Sequence, residues 1–576
     1  MKIKKIEIKH FRSFKEETIT FPKSGLCALV GENNAGKSNI LTALNLMLGE
    51  KYPMYNMLTD NDFYGWKRDK ELRIKIDFDE NLEGYDSLDL IYNPLSKEEE
   101  FKYQLTENFS THRPTSEQRE KFGFIYISAE RDLLHQLTYS KWTLFGKIAE
   151  RLQESFKKND ENGQKSEEIE EYFTKTTKFL RDNSSLKDFE NNLKNSYNEL
   201  FIEGQTQLIF KSFDPINYFQ SLLLSVNEFG KDIYPRDLGM GSRNLLFLAL
   251  FKAYAETFRP AGDLIVIEEP ELYLHYSWRS FLYETLKKLA EKGAQIIYST
   301  HSEDFVDLGR FDDIRVVRKI QENGEIFSKV YEPEVKTLLE ERKKEYPDTN
   351  LLEQIKQHFS KLGTSEYSAR RGFFSKTVIL VEGPTEALSL PIFFQAKGIN
   401  LNKNNISIVD CSGKNNIPTF LNLFKSFKID CYIIWDWDNH KSEEKRKSKA
   451  NKNLYQYCFN IEEENPLFEQ NFKQNEKGTV WKNDFEDYIK VEIKDYDEFI
   501  KEGAKEWGYD LDENAAKQLK MKYIAIKCRE KNECPPCLEK IIEFLGMKAD
   551  INLKEETKKN KITEANKEFN IDEIPF

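Results

Sequence analysis

The sequence predicts an α/β protein of two sheet-centred units, the first interrupted by a helical insertion and the second followed by a helical tail. Three observations carry this. A compact apolar run, Leu26 to Val30, passes through a glycine-bearing turn into a helix pattern from Lys37 to Leu48. Two more short apolar runs, Leu264 to Ile267 and Gln295 to Tyr298, read as buried strands of the same unit. A second series, Thr377 to Val381, Ile406 to Val409 and Cys431 to Trp435, alternates with helical segments and argues for a second sheet.

Each element has its own signal. Residues Lys2 to His10 alternate with period two, as a half-buried strand does. Between Lys141 and Leu200 the apolar residues Ile148, Leu152 and Phe156 repeat at helical spacing. A polar break and a second helical stretch, Ile169 to Leu200, complete a hairpin that reads as a spacer or dimerisation arm. Residues 332–371 are charged and helical in character. His440 to Asn453 reads as a Lys-rich polar loop, and the tail from Lys554 is charged and frayed. The expected organisation is a first unit in two parts, 1–140 and 206–335, around the insertion 141–205. A linker at 336–372, the second unit at 373–495 and its helical C-terminal part at 496–576 follow.

Composition excludes several classes. The 576 residues are 39% hydrophobic, with 42 Phe and 27 Tyr, so real cores are affordable and disorder is excluded. Lys plus Arg is 86 against 98 Asp plus Glu, a net charge of -12, which excludes a uniformly basic nucleic-acid coat. Contact with nucleic acid would need a local basic patch or cations bound to acidic residues. The longest apolar run, near Leu245 to Phe251, is far too short for the roughly 20 residues that cross a bilayer. The N-terminus shows no apolar signal core, so a cytoplasmic protein without a membrane partner is expected. Cys534 and Cys537 lack a second pair at zinc spacing and read as incidental thiols.

The first chemical constellation handles a nucleotide. Gly31 to Ser38, GENNAGKS, fits GxxxxGK[ST] between a strand and a helix. Its glycines, with Asn34 between them, let backbone N–H groups face phosphates, and the helix adds its positive end. Lys37 would reach the outer phosphates and Ser38 would ligate Mg²⁺, which implies ATP with Mg²⁺. The strand from Leu264 ends in Glu268, Glu269, Pro270 and Glu271, like the acidic end of a Walker B strand. Paired carboxylates at a buried strand end are costly unless they serve a cation or water. Glu268 would hold Mg²⁺, and Glu269 would orient or deprotonate the attacking water. His301 follows the next strand, where it could sense a terminal phosphate. Gly239, Gly241 and Ser242 open an apolar helix, as an anion-binding turn or as a plain cap.

The second constellation is acidic. Glu382 stands at the end of the strand from Thr377, with Gly383 and then Glu386 near a helix start. Asp436 and Asp438 follow the strand from Cys431, where alternation puts them on one face. Carboxylates that meet at strand ends repel one another unless cations neutralise them, and oxygen ligands of this kind suit Mg²⁺ or Mn²⁺. Two such ions can stabilise the attacking and leaving oxygens of phosphodiester cleavage.

The order of motifs carries a resemblance. The phosphate loop, the turn at Gly239 to Ser242, the paired glutamates and His301 resemble an ABC-type P-loop ATPase head of the RecF/SMC-like branch, as does Phe11-Arg12-Ser13-Phe14. The resemblance implies that Arg12 contacts nucleotide and that Gly239, Gly241 and Ser242 complete the site of a second protomer. The turn is not the standard LSGGQ, and no Q-loop glutamine is placed near Ser128 to Arg131. Glu382 with Asp436 and Asp438 resembles a TOPRIM α/β domain. In its nuclease branch an acidic cluster like Asp484, Glu486 and Asp487 recurs, so Asp484 or Glu486 is a further metal ligand or, equally, the charged start of a helix. A C-terminal lysine is expected there, with Lys522 and Lys520 as candidates to stabilise developing phosphate charge.

The whole arrangement resembles the OLD family of nucleases, with a length similar to that of the stand-alone nuclease of the Gabija anti-phage system. That implies a metal-dependent DNA endonuclease with two Mg²⁺ or Mn²⁺ ions, regulated or assembled by its ATPase part, a homodimer or larger, active in antiviral defence. Some members have a UvrD-like helicase partner. A scaffold of the RecF/SMC type with an inert second site is the alternative, and a topoisomerase is disfavoured for want of a strand-passage domain. Lys441, Lys445, Arg446, Lys447 and Lys449, just after Asp438, form a local DNA contact on this reading.

Overall fold

The computed structural model describes residues 2 to 549 except 80–83, 96–100, 109, 130–132, 141, 161–163, 182–224, 229, 258–261, 273, 335–337, 339–350, 362–363, 444–447, 462–465, 467 and 511–516. Glu130, Arg131, Lys445, Arg446, Lys447, the insertion beyond Arg181 and the tail from Lys554 lie outside the described residues.

Three sheets stack through layers of helix. The first is antiparallel, with strands in the order Phe14–Thr20, Ile3–Phe11, Leu72–Phe78, Tyr85–Tyr92, Phe101–Glu107, Ser110–His112. Of these only Ile3–Phe11 is among the strands that the sequence predicts; Phe14–Thr20 and the four from residue 72 onward are not. Leu72, Ile74, Ile76 and Phe78 alternate with polar residues, which is the signal that marks them.

The second sheet runs Glu325–Tyr331, Ile314–Glu322, Leu26–Val30, Gln295–Ser299, Leu264–Glu268, Phe124–Ile127. Its five last-named strands are parallel and the first is antiparallel. The strand before the phosphate loop is thus separated from the strand of Glu268 by the strand that precedes His301. Parallel strands buried on both faces need continuous apolar runs, and LCALV and LIVIE supply them.

Helix Lys37–Leu48 fills the space between these sheets. Ile40, Leu41, Leu44, Met47 and Leu48 join one cluster with Ile6, Ile74, Cys27 and Leu29. Leu26, Ala28 and Val30 face the other way, into a cluster continuous with Val378, Leu380 and Ile433 of the third sheet. Two-residue periodicity therefore ties each strand to two layers.

The third sheet runs Ile406–Asp410, Thr377–Val381, Asp430–Asp436, Gly478–Trp481, Phe472–Gln474, with only the last strand antiparallel. Ile379 and Val381 face the tail helices Tyr496–Trp507, Lys517–Lys531 and Pro536–Phe544. The expected polar loop to Asn453 is shorter than read. A helix, Lys449–Phe459, begins inside it, because the Ser448 hydroxyl accepts the Asn451 N–H and caps it.

Candidate functional site

The carboxyl ends of the parallel strands hold two separate sites, as open α/β sheets favour. In the first, Gly31 and Gly36 adopt φ of 143° and 110°, closed to most side chains. A Cβ at Gly31 would stand 2.1 Å from the Val317 carbonyl oxygen, so the loop lies directly on a neighbouring strand's backbone. Ser328 holds its far end, donating to the Ala35 carbonyl at 2.6 Å. Lys37 is buried and folded onto its own loop, donating to the carbonyls of Gly31 and Glu32 at 2.9 Å each. Burial pulls its ammonium down to about 8, against the raising effect of Glu269 and Glu271. Ser38 is exposed at the helix start.

Glu268 accepts from the Tyr126 hydroxyl at 3.2 Å and the Ala129 N–H at 3.3 Å. Glu269 has a left-handed backbone, φ 46°, and its N–H donates to the Ser299 carbonyl at 3.0 Å. A non-glycine residue held there is strained, a state that clusters at functional sites. His301 Nε2 lies 3.7 Å from Glu269 Oε1, and burial followed by Lys37 depresses its imidazole to about 4. Lys37, Glu269 and His301 therefore converge on one point. Glu271 was not singled out as a site residue. It is buried, accepts the His301 N–H at 2.6 Å, and leaves its second oxygen without a partner. Its signal was its place in the EEPE run. Arg12, also left-handed, donates to Asp62 at 3.0 Å and to Thr42 at 3.2 Å on the same helix face. Gly239, Gly241 and Ser242 form an exposed turn at the start of helix Met240–Thr257, with open space around both glycines.

The second site gathers carboxylates from four segments. Glu382 directly follows the strand Thr377–Val381 and accepts the Asp436 N–H at 3.2 Å from the next strand. Asp436 is 8% exposed, and its Oδ1 accepts the Phe485 N–H at 3.1 Å. Glu386, 5% exposed, stands in the first turn of helix Pro384–Ala396. Glu486 stands in the first turn of helix Phe485–Glu492, whose cap is Asp484. Burial and then Glu486 push Glu386 up to about 8. Burial, then Glu386, Glu382, Glu486 and Asp484, push Asp436 well above the carboxylate range. Glu382 and Glu486 are also raised, chiefly by burial. The metal-free protein thus holds mutually repelling buried acids, which is the donor set that a hard divalent cation fits.

Asp438 differs from expectation. The strand ends at Asp436, and Asp438 has φ 63°, so a left-handed turn rather than strand alternation places it. It is 2% exposed, hydrogen-bonded to Lys414 and 2.5 Å from Lys441 Nζ. Burial would raise its carboxyl, but the bonds from the two lysines outweigh that and hold it below the usual range. Lys414 also donates to the Asp436 carbonyl at 2.9 Å. Nothing in the sequence reading marked Lys414. Lys441, the first of the lysines expected to contact DNA, pairs with Asp438.

Lys517, which the sequence did not single out, meets the acids with Nζ 2.9 Å from Glu486. Lys522 is five positions further along the same helix, about 140° around it, and so on another face. Asp484, His440 and Asp487 form a more exposed group at the edge of the site, with His440 Nε2 3.9 Å from Asp484.

Comparison with known proteins agrees with this division. The AAA ATPase domain model matches residues 1–123 and 117–306, more than half of the chain. The Overcoming lysogenization defect protein-like TOPRIM domain model matches residues 373–438. The chain is similar to the OLD nuclease of Thermus scotoductus, 25% identical over 477 residues that cover 78% of this chain and 86% of that protein. It is likewise similar to the Old nuclease of Escherichia phage P2, 25% identical over 486 residues that cover 76% and 77%. Among solved structures, an Smc head bound to the C-winged-helix domain of ScpA aligns with TM-score 0.34 and 17% identity, covering 57% of this chain and 97% of that one.

Proposed function

We propose, from the premise that the chain belongs to the AAA ATPase domain family and carries an OLD-like TOPRIM domain beside it, that it is an ATP-regulated, metal-dependent DNA endonuclease that nicks or cuts duplex DNA. The observation that carries this reading is the convergence of Glu382, Glu386, Asp436 and Glu486 in one buried cluster beside Asp438. Mg²⁺ or Mn²⁺, two ions in all, fit these acids with Asp484, and would supply neutralisation of the attacking and leaving oxygens of a phosphodiester.

The chain's own groups do the rest. The Phe485 N–H and the Asp436 N–H orient Asp436 and Glu382 before any ligand arrives. Lys414 and Lys441 keep Asp438 ionised and turned inward. Lys517 places a positive charge beside Glu486, where a phosphate would gain charge during cleavage. In the other site, Lys37 and Ser38 would hold ATP with Mg²⁺, Glu268 would support the ion, and Glu269 with His301 would handle the water. Arg12 lies alongside the same helix. The exposed turn Gly239 to Ser242 offers backbone N–H groups to a second copy of the chain, so we assign a homodimer or larger. Cytoplasmic location, a role in anti-phage defence and a UvrD-like helicase partner complete the reading. No helix among the described residues is long and apolar enough to cross a membrane.

Supercoiled plasmid incubated with purified protein, with and without Mg²⁺, Mn²⁺ and ATP, tests it. Nicked and linear products are expected, and Asp436→Ala should lose them while ATP binding survives. Closed relaxed topoisomers would point to a topoisomerase, and unchanged plasmid to a scaffold.

A further inference from the structure

The two sites lie on different sheets, and one guanidinium touches the framework of both. Arg318 lies on the strand Ile314–Glu322, which pairs in parallel with the strand before the phosphate loop, Val316 opposite Val30. Its neighbour Val317 presents the carbonyl on which Gly31 rests, and the Val317 side chain is buried in the cluster shared with the first sheet. Alternation turns Arg318 the other way, toward the third sheet. There Nη2 donates to the Ser375 carbonyl at 2.7 Å and Nη1 to the Lys428 carbonyl at 3.2 Å.

Those two acceptors are equivalent. Ser375 and Lys428 each stand two residues before a strand, and the strands' first residues, Thr377 and Asp430, are register partners. Glu382 directly follows the first strand and Asp436 closes the second, roughly 17 and 20 Å beyond Thr377 and Asp430 at the usual rise per residue. One planar fork thus bridges the starts of the neighbouring strands whose ends carry the acids. Arg318 is partly buried, and the carboxylates acting on it are Asp430 on the sheet side and Glu32 from the phosphate loop itself. A second tie reaches the same turn. The strand Glu325–Tyr331, which holds the loop through Ser328, leads to Glu334, whose N–H donates to the Ser426 carbonyl at 3.2 Å and whose carboxylate lies 2.7 Å from Lys428 Nζ.

We propose that Arg318 is the positioning residue through which the nucleotide state of the Gly31–Ser38 loop sets the relative placement of the two strands that carry Glu382 and Asp436. Phosphates entering the loop displace Lys37 from the Gly31 and Glu32 carbonyls and change the charge facing Glu32. Val317 and Arg318 move with the loop's floor, and the guanidinium carries that displacement to both strand starts together. The inference rests on the reading of the two sites given above.

The test uses the full chain as wild type, Arg318→Met and Arg318→Lys. Lysine keeps the charge but loses the two-pronged geometry, so it separates positioning from electrostatics. The first readout is the ratio of plasmid-cleavage rates with and without a non-hydrolysable ATP analogue, in whichever direction the wild type responds. In wild type that ratio should differ clearly from unity. Both variants should bring it close to one, while nucleotide affinity and the rate without nucleotide stay near wild type. A wild-type ratio in both variants overturns the proposal. The second readout needs no nuclease activity: hydrogen exchange of residues 375–381 and 428–436 on adding the analogue. Exchange should change in wild type and not in Arg318→Lys. No change in wild type overturns the proposal even if DNA is cut. A change in wild type that Arg318→Lys abolishes, without any DNA cleavage, supports the coupling and sinks the nuclease reading instead. If Arg318→Met does not fold, the lysine variant and the wild-type exchange decide.

Discussion

Replacing Glu386 by Gln should stabilise the metal-free protein and abolish cleavage, with a pH signature that identifies the cause. Glu386 is buried beside Glu486, Glu382 and Asp436, and its carboxyl is raised from 4.5 to about 8. A carboxyl raised in the folded state binds its proton more tightly there than in the unfolded chain. Stability therefore falls as pH climbs from the unfolded value to the folded one. One pH unit inside that window costs about 1.4 kcal/mol, so this group costs the wild type at most about 4 kcal/mol between pH 5 and 8. Glutamine keeps the shape and ionises nowhere in that range. It also removes the largest charge acting on Asp436, next after burial itself. Urea unfolding in EDTA, from pH 5 to 8.5, is the assay. The variant's advantage should be small at pH 5 and widen steadily to pH 8. Added Mg²⁺ or Mn²⁺ should reverse the order, because only the wild type gains the stabilisation that binding to the native state brings. Parallel pH curves would refute the reasoning, since the cluster would then not be held together against its own charge.

Three further outcomes follow from particular contacts. Lys517→Met should lower the cleavage rate about 10-fold or more with metal affinity little changed, while Lys522→Met leaves the rate near wild type, measured under metal saturation. With Lys37 drawn down to about 8 and nucleotide binding its charged form, ATP affinity should fall as pH rises through about 8; a fluorescent-analogue titration showing flat affinity from pH 7 to 9 would remove Lys37 from the phosphates. Glu269→Gln should keep nucleotide binding and lose turnover, read by phosphate release, and normal release would cancel its assigned role.

How much of this was legible depends on whether a feature is local in the chain. The phosphate loop is contiguous, so Gly31 to Ser38 and the flanking strand and helix stood in the sequence almost as they stand in the structure. The strand-end acids were legible for the same reason: Glu382 follows an unbroken apolar run, and Asp436 closes another. The groups that the sequence hid are those delivered from a distance. Lys414 reaches Asp438 across 24 residues, by way of the loop that follows Ile406–Asp410. Lys517 reaches Glu486 because helix Lys517–Lys531 packs on helix Pro384–Ala396, and no spacing rule could choose it over Lys520 or Lys522. Asp438 looked like a strand residue because DxD fits a two-residue period, but the chain turns left-handed there.

That last difference bears on how an acidic chain can approach a polyanion. A net charge of -12 says nothing about the field at one spot. Asp438, expected as a metal ligand on one strand face with Asp436, is held by Lys414 and Lys441. Lys517 pairs with Glu486, whose charge acts on both Asp436 and Glu386. Three lysines thus stand around a knot of acids, two of which are driven toward neutrality by burial and then by neighbouring carboxylates, Glu386 by Glu486 and Glu382, and Asp436 by Glu386, Glu382 and Glu486. The charge that a phosphate meets at this site is therefore set by how many of those acids keep their protons, and less by the composition of the chain. Any cation that takes the protons' place turns the same carboxylates from a barrier into a binding surface, because a bound divalent ion is the largest local charge and inverts the local logic.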